Sequence, residues 1–174
     1  MNDKPAATES AAFDLASAGW KPVKPIGFGE LVGRIWRLGD ARFGVVVEAR
    51  HLNFADIVHG GLLMTLADQA MGMTALRATD NKPHATIELN MQFVGAVRLG
   101  EFVEAHCEIV RITRAIIFMH CKLVVGDRGV ANATGIWKIR GRGKARRSSP
   151  CKRESRTGSP LSRGRAGSLT FETS

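Results

Sequence analysis

The sequence predicts an α+β domain in which one long apolar helix is cradled by a curved antiparallel sheet of five or six strands. Three observations carry this reading. Leu62, Leu63, Leu66, Ala67, Ala70, Met71, Met73 and Leu76 cover most of a helix circumference, the mark of a central, buried helix. The segments that bracket it alternate apolar and polar residues with period two. Turn signals at Gly39-Asp40, Thr113-Arg114 and Gly126-Asp127 divide those segments into strands.

In chain order, Ala11 to Ala18 predicts a short helix ended by Gly19, and Trp20 with Pro22 and Pro25 an extended lead-in. Arg34 to Leu38 and Phe43 to Arg50 read as two strands. The long helix opens at His59-Gly60-Gly61 and runs to about Ala78. Thr86 to Phe93 then alternates, with Ile87, Leu89, Met91 and Phe93 on one face and Thr86, Glu88, Asn90 and Gln92 on the other, as in a sheet wet on one side. Glu101 to Ile112, Ile116 to Val125 and Val130 to Ile139 supply three more strands, giving the order ββαββββ.

The chain has 174 residues, 44% apolar and 24% charged, which fits one domain with an ordinary core. With no long apolar run and an acidic, polar start, MNDKPAATES, the expectation is a cytoplasmic protein without membrane contact. Three cysteines, Cys107, Cys121 and Cys151, without a CxxC spacing, argue against a disulfide framework or a cysteine zinc site. The net charge of +9 is unevenly placed: residues 140–174 hold 10 Lys and Arg against 2 acids, while residues 1–139 are nearly neutral. That basic stretch, rich in Arg, Ser and Gly, reads as a disordered tail that would hold polyanions weakly and without base specificity. The predicted organisation is an N-terminal extension over 1–25, a folded domain over 26–140 and the tail over 141–174.

One polar stripe interrupts the central helix. Gly61, Thr65, Asp68 and Gly72 are spaced by four, three and four residues and share a face. Asp68 is the helix's one acid among Leu, Met and Ala, and such surroundings raise the basicity of a carboxylate. The same acid could equally be structural, bonded to a backbone amide. At the helix start, Gly60 and Gly61 carry amides without intrahelical partners at the positive end of the dipole, where an oxyanion could be held. From there to Asp68 the helical rise is roughly 10 Å, a span that suits a thioester.

These residues, Asn53-x5-His59-Gly60-Gly61-x6-Asp68 in NFADIVHGGLLMTLAD, resemble the hotdog-fold acyl-CoA thioesterases of the phenylacetyl-CoA and 4-hydroxybenzoyl-CoA type. The resemblance covers about residues 26–140 and continues through ATIELNMQF, the turn Val97 to Glu101, the ITRAIIF hairpin and the closing strand ATGIWKI. Arg34 stands where the family often has proline, and the tail lies outside the resemblance. The resemblance implies a hotdog fold, hydrolysis of acyl-CoA to acid and CoA, no cofactor, and a homodimer, with a dimer of dimers expected. It implies Asp68 as nucleophile or general base and Gly60, with the Gly61 amide, as the polariser of the thioester carbonyl. His59 and Asn53 would orient thioester and water, and Thr86 would position that water. Each site would join His59, Gly60 and Asn53 of one subunit to Asp68 and Thr86 of the other. Gly61 and Thr65 would line the substrate, and Arg98, Arg111 and Arg114 are candidate contacts for the CoA phosphates, or else solvated strand-end arginines. The rival reading is a non-catalytic hotdog sensor of acyl-CoA whose tail contacts acidic partners.

Matching the apolar faces of the Glu101–Ile112 and Ile116–Val125 strands puts Cys107 opposite Cys121 and His106 opposite His120 on the other face, a poor basis for a metal site. His51 and His84 read as surface or substrate-rim histidines, and Trp36 and Trp137 as packing residues.

Overall fold

The computed structural model describes residues 15–140, so the expectations for the first 14 residues and for the 141–174 tail lie outside the described residues. A helical turn over 15–17 closes at Gly19, whose φ of 85° is the left-handed geometry that favours glycine after a helix. The elements that follow are β1 (Lys21–Val23), α1 (Phe28–Val32), β2 (Ile35–Leu38), β3 (Arg42–Val46), a 3-10 turn (Ala49–His51), α2 (Gly60–Ala78), β4 (His84–Phe93), β5 (Phe102–Ile112), β6 (Ile116–Val125) and β7 (Arg128–Ile139).

All strands join one antiparallel sheet in the order β1-β2-β3-β5-β6-β7-β4, with α2 packed across it. This is the hotdog architecture. The sheet has seven strands, against the five or six expected, because the lead-in pairs: Lys21, Pro22 and Val23 lie opposite Arg37, Trp36 and Ile35. Proline is accepted there because β1 is an edge strand.

α2 buries Leu62, Leu63, Leu66, Ala67, Ala70, Met71, Thr74 and Ala75 against the inner face of the sheet, beside Phe43, Ile117, Leu123 and Trp137. Met73 and Leu76, also expected in the core, are half-buried because they face a cavity instead. The helix ends where Asp80 and Asn81 adopt φ of 52° and 58° and Asn81 N–H donates back to the Leu76 carbonyl at 2.8 Å. No helix among the described residues is long and apolar enough to cross a membrane.

Three local expectations are corrected. The strand expected over Phe43 to Arg50 stops at Val46, since Glu48 and His51 cap the 3-10 turn reciprocally: Glu48 N–H donates to His51 Nδ1 at 2.9 Å. His51 is therefore not a surface or rim residue. It is 6% exposed, and its Nε2–H, the proton left once Nδ1 accepts, donates to the Val32 carbonyl at 2.8 Å, tying the turn to α1. In the β5–β6 pair Cys107 does face Cys121, with Sγ atoms 3.7 Å apart, and the neighbouring thiol and burial push Cys121 well above the usual thiol range. Partner numbers run oppositely in an antiparallel pair, however, so His106 lies opposite Lys122 and His120 opposite Glu108.

His106 instead bonds Glu104 at 2.9 Å, and Arg42 of β3 bonds the same carboxylate. Burial alone would raise the Glu104 pKa, but the hydrogen bonds and charges of His106 and Arg42 outweigh it and hold the carboxyl below its usual range. A depressed pKa contributes stability above the unfolded-state value that is lost as pH falls through the folded one. Glu104→Gln should therefore lower stability by up to about 1 kcal/mol at pH 7, the size of a partly exposed ion pair. Denaturant melts of both proteins should converge below the ordinary glutamate pKa; a gap that persists in acid would refute the electrostatic origin.

Candidate active site

The loop that feeds α2 is built by Asn53. Its Oδ1 accepts from Ala55 N–H at 2.8 Å, its own N–H donates to the Ile57 carbonyl at 2.8 Å, and Asp56 turns through φ 55°. Asn53 thus shapes the loop that delivers His59. His59 is the N-cap of α2: its φ of −64° and ψ of 130° are extended, and its Nδ1 accepts from Gly61 N–H at 2.9 Å. That bond corrects the expectation for Gly61, whose amide is already engaged. Gly60 N–H has no acceptor among the described residues and is the free amide at the helix's positive end. A Cβ on Gly60 would stand 3.1 Å from the Phe93 ring, so the bare backbone lets strand and helix start approach.

Two turns along, Asp68 is half-buried, and its Oδ1 accepts from Thr86 Oγ1 at 2.8 Å. The contact joins α2 to β4. Both residues line a cavity of about 460 Å³ with Gly72, Met73, His84 and Trp137, bordered also by the segment Val23 to Ile26 and by Gly29 of α1. Thr65 is turned back on its own helix, donating to the Gly61 carbonyl at 2.8 Å.

The predicted residues therefore form two separate groups along the helix: Asn53, His59 and Gly60 at its start, Asp68 and Thr86 near its middle. Eight residues separate Gly60 from Asp68, roughly 12 Å of rise along the helix. The arginines separate further. Arg98 is exposed in the turn that contacts the α2 start through Val97, whose carbonyl accepts from Val58 N–H at 2.9 Å. Arg111 and Arg114 are exposed at the opposite end of β5, roughly 33 Å away by strand rise, and Arg114 borders a different cavity. One CoA cannot reach all three in one chain.

His84, read from the sequence as a surface or substrate-rim histidine, lines the cavity, and so does Trp137, which the sequence offered only as a packing residue. Trp137 does pack, at 1% exposure, but it also lies directly opposite Thr86 in the β4–β7 register and so shares the cavity face. Only that pairing, between strands far apart in the chain, could have singled it out.

Residues 55–132 match the Thioesterase superfamily. The chain is 32% identical to "Putative esterase PA0474" of Pseudomonas aeruginosa over 115 residues, 63% of this chain and 86% of that protein. It is 25% identical to human "Acyl-coenzyme A thioesterase 13" over 112 residues, 62% and 80% of the two chains. Among solved structures, the BH2602 protein from Bacillus halodurans with CoA is similar at a TM-score of 0.53 and 28% identity, over 57% of this chain and 66% of that one. The sequence matches, with the long helix across an antiparallel sheet, lead to one conclusion: the chain belongs to the thioesterase superfamily and is a thioester hydrolase.

Proposed function

We propose that the protein hydrolyses acyl-CoA thioesters to the free acid and CoA, with Asp68 as the acid that activates water or attacks the carbonyl itself. The observation that carries this is the Asp68–Thr86 hydrogen bond at the wall of the cavity. Thr86 holds Oδ1, and Oδ2 has no partner among the described residues, so it is the oxygen able to take a proton from water. Water adds to the thioester carbon, charge gathers on the carbonyl oxygen, and Gly60 N–H at the helix start stabilises it. The C–S bond then breaks, and the CoA thiolate leaves. This scheme calls on no metal or cofactor, since a thioester is already an activated acyl donor.

Because Gly60 and Asp68 are far apart within one chain, the reading requires a homodimer in which His59, Gly60 and Asn53 of one subunit face Asp68 and Thr86 of the partner subunit. β4 is one of the two edges of the sheet, and it exposes Ile87 at 56% and Phe93 at 51%, apolar surface suited to a copy of itself. A dimer of dimers would add further support to CoA, with Arg98 nearest the helix start. The names of the human relative and of the CoA-bound Bacillus halodurans structure support CoA as the thiol half of the substrate.

The test is turnover of a panel of aryl, arylacetyl and medium-chain acyl-CoA thioesters, followed by release of free thiol, with the oligomer measured in parallel by light scattering. Hydrolysis of at least one member by a dimer or tetramer is expected. Tight acyl-CoA binding without turnover on any member would instead establish a sensor.

A further inference from the structure

We infer that Cys107 and Cys121 form a thiol–disulfide exchange site, which a dissolved low-molecular-weight disulfide oxidises to a single cross-strand bond that locks the β5–β6 hairpin. The inference stands apart from the hydrolysis reading, since neither cysteine lines the cavity beside Asp68.

The backbone holds the pair in the geometry such a bond needs. The two residues are direct partners in the β5–β6 register, and their Sγ atoms are 3.7 Å apart. Within a strand the N–H and C=O of one residue point to the same side, and Cys107 N–H donates to the Ala41 carbonyl at 2.8 Å, toward β3. Both groups of Cys107 therefore face away from β6, which makes Cys107 and Cys121 a non-hydrogen-bonded pair, the closer of the two antiparallel arrangements. Its Cα separation of about 4.5 Å falls inside the range of about 4.4–6.8 Å that a disulfide bridges. Closing the sulfurs from 3.7 Å to about 2.05 Å adds no atom to the core. The next residue in that row of the sheet is Ala133, so a small side chain borders the buried sulfur.

Exposure divides the roles. Cys121 is fully buried, and the facing thiol and burial push it well above the usual thiol range, so it waits as a protonated thiol out of reach of solvent. Cys107 is half-buried and is the sulfur that a dissolved disulfide RSSR can meet. The Cys107 thiolate attacks one sulfur of RSSR, the S–S bond breaks, and the departing RS⁻ takes up the proton that Cys107 released. Cys121 then attacks the Cys107 sulfur of the mixed disulfide and gives its own proton to the second RS⁻. In sum, two cysteine thiols and RSSR become one internal disulfide and two RSH; the cysteines lose two electrons and RSSR gains them. Because Cys121 already touches its target, the second step is intramolecular and outruns a second external thiol.

The bond closes a loop of about 15 residues, which should raise the melting temperature of a domain this size by roughly 5–10 °C. Catalysis should change little, because Gly60, Asp68 and Thr86 lie on α2 and β4, outside the hairpin.

The test uses the full chain carrying Cys151→Ser, which leaves only the facing pair to react. It would be equilibrated in glutathione buffers from fully reduced to fully oxidised, quenched with acid, and alkylated after unfolding. The expected product in oxidising buffer is lighter by about 2 Da, takes up no alkylating agent, and carries no glutathione. Trypsin should release Leu99–Arg111 joined to Ala115–Lys122. The linked form should melt roughly 5–10 °C higher, fall back on addition of dithiothreitol, and turn over thioesters within about twofold of the reduced form. Cys107→Ser, and Cys121→Ala to keep the core apolar, should each melt at one temperature in both buffers. Two free thiols in fully oxidised glutathione, a lasting glutathione adduct on Cys107, or a linked form that melts no higher would each overturn the inference. The mass and melting readouts hold whether or not the protein hydrolyses any thioester, so failure here leaves the hydrolysis reading standing.

Discussion

Asp68→Asn is expected to lower kcat on acyl-CoA thioesters by about two to four orders of magnitude, the range lost with a positioned base, while KM changes little. The substitution is close to isosteric, and the Asn carbonyl can still accept the Thr86 hydroxyl that Asp68 Oδ1 accepts now, so the α2–β4 contact survives. What disappears is the oxygen able to take a proton or attack carbon. Thr86→Ala separates positioning from chemistry: it keeps the carboxylate but frees its orientation, and a loss of about tenfold in kcat is the proportionate result. Single-turnover rates, with thermal melts to confirm the fold, distinguish the cases. A native rate in Asp68→Asn would remove Asp68 from the mechanism altogether.

Residues whose consequences are local were legible in the sequence. The α2 stripe placed Asp68 and Gly72 on one face because a helix has a fixed period, and the bounds Gly60 and Ala78 followed from a glycine-rich start and the end of the apolar pattern. What depended on pairing was not legible. Thr86 meets Asp68 and lies opposite Trp137 only because β4 returns to the far edge of the sheet and pairs with β7, which no local periodicity states. The alternation of β4 also breaks between Thr86 and Glu88, where a bulge interrupts the register and Ile87 is left exposed. His51 was misjudged for a related reason: its partner is a carbonyl nineteen residues earlier, on α1, and a buried histidine with both nitrogens bonded carries no sequence mark.

The second large effect is expected at Gly60, and proline is the substitution that isolates its amide. Gly60 is the first residue of α2, a position where proline is well tolerated because its missing N–H has no helical partner. The preceding residue, His59, already has φ −64° and ψ 130°, the extended conformation that a following proline imposes. The new Cβ meets Phe93 at 3.1 Å, but Phe93 is 51% exposed and its ring has room to swing outward. Gly60→Ala adds the same carbon and keeps the N–H, so it reports the steric cost alone. If Gly60 N–H stabilises the oxyanion, Gly60→Pro should lose about 10²–10³ in kcat and Gly60→Ala far less. Equal losses in the two variants would assign the effect to crowding. Because the proposed site draws Gly60 and Asp68 from different subunits, co-refolding Gly60→Pro with Asp68→Asn should restore activity that neither has alone. Random pairing makes half of the dimers mixed, each with one intact site and one doubly broken, so recovery should approach about a quarter of the native rate. No recovery, with mixed dimers shown to form, would place both groups in the same chain's site, or outside any site at all.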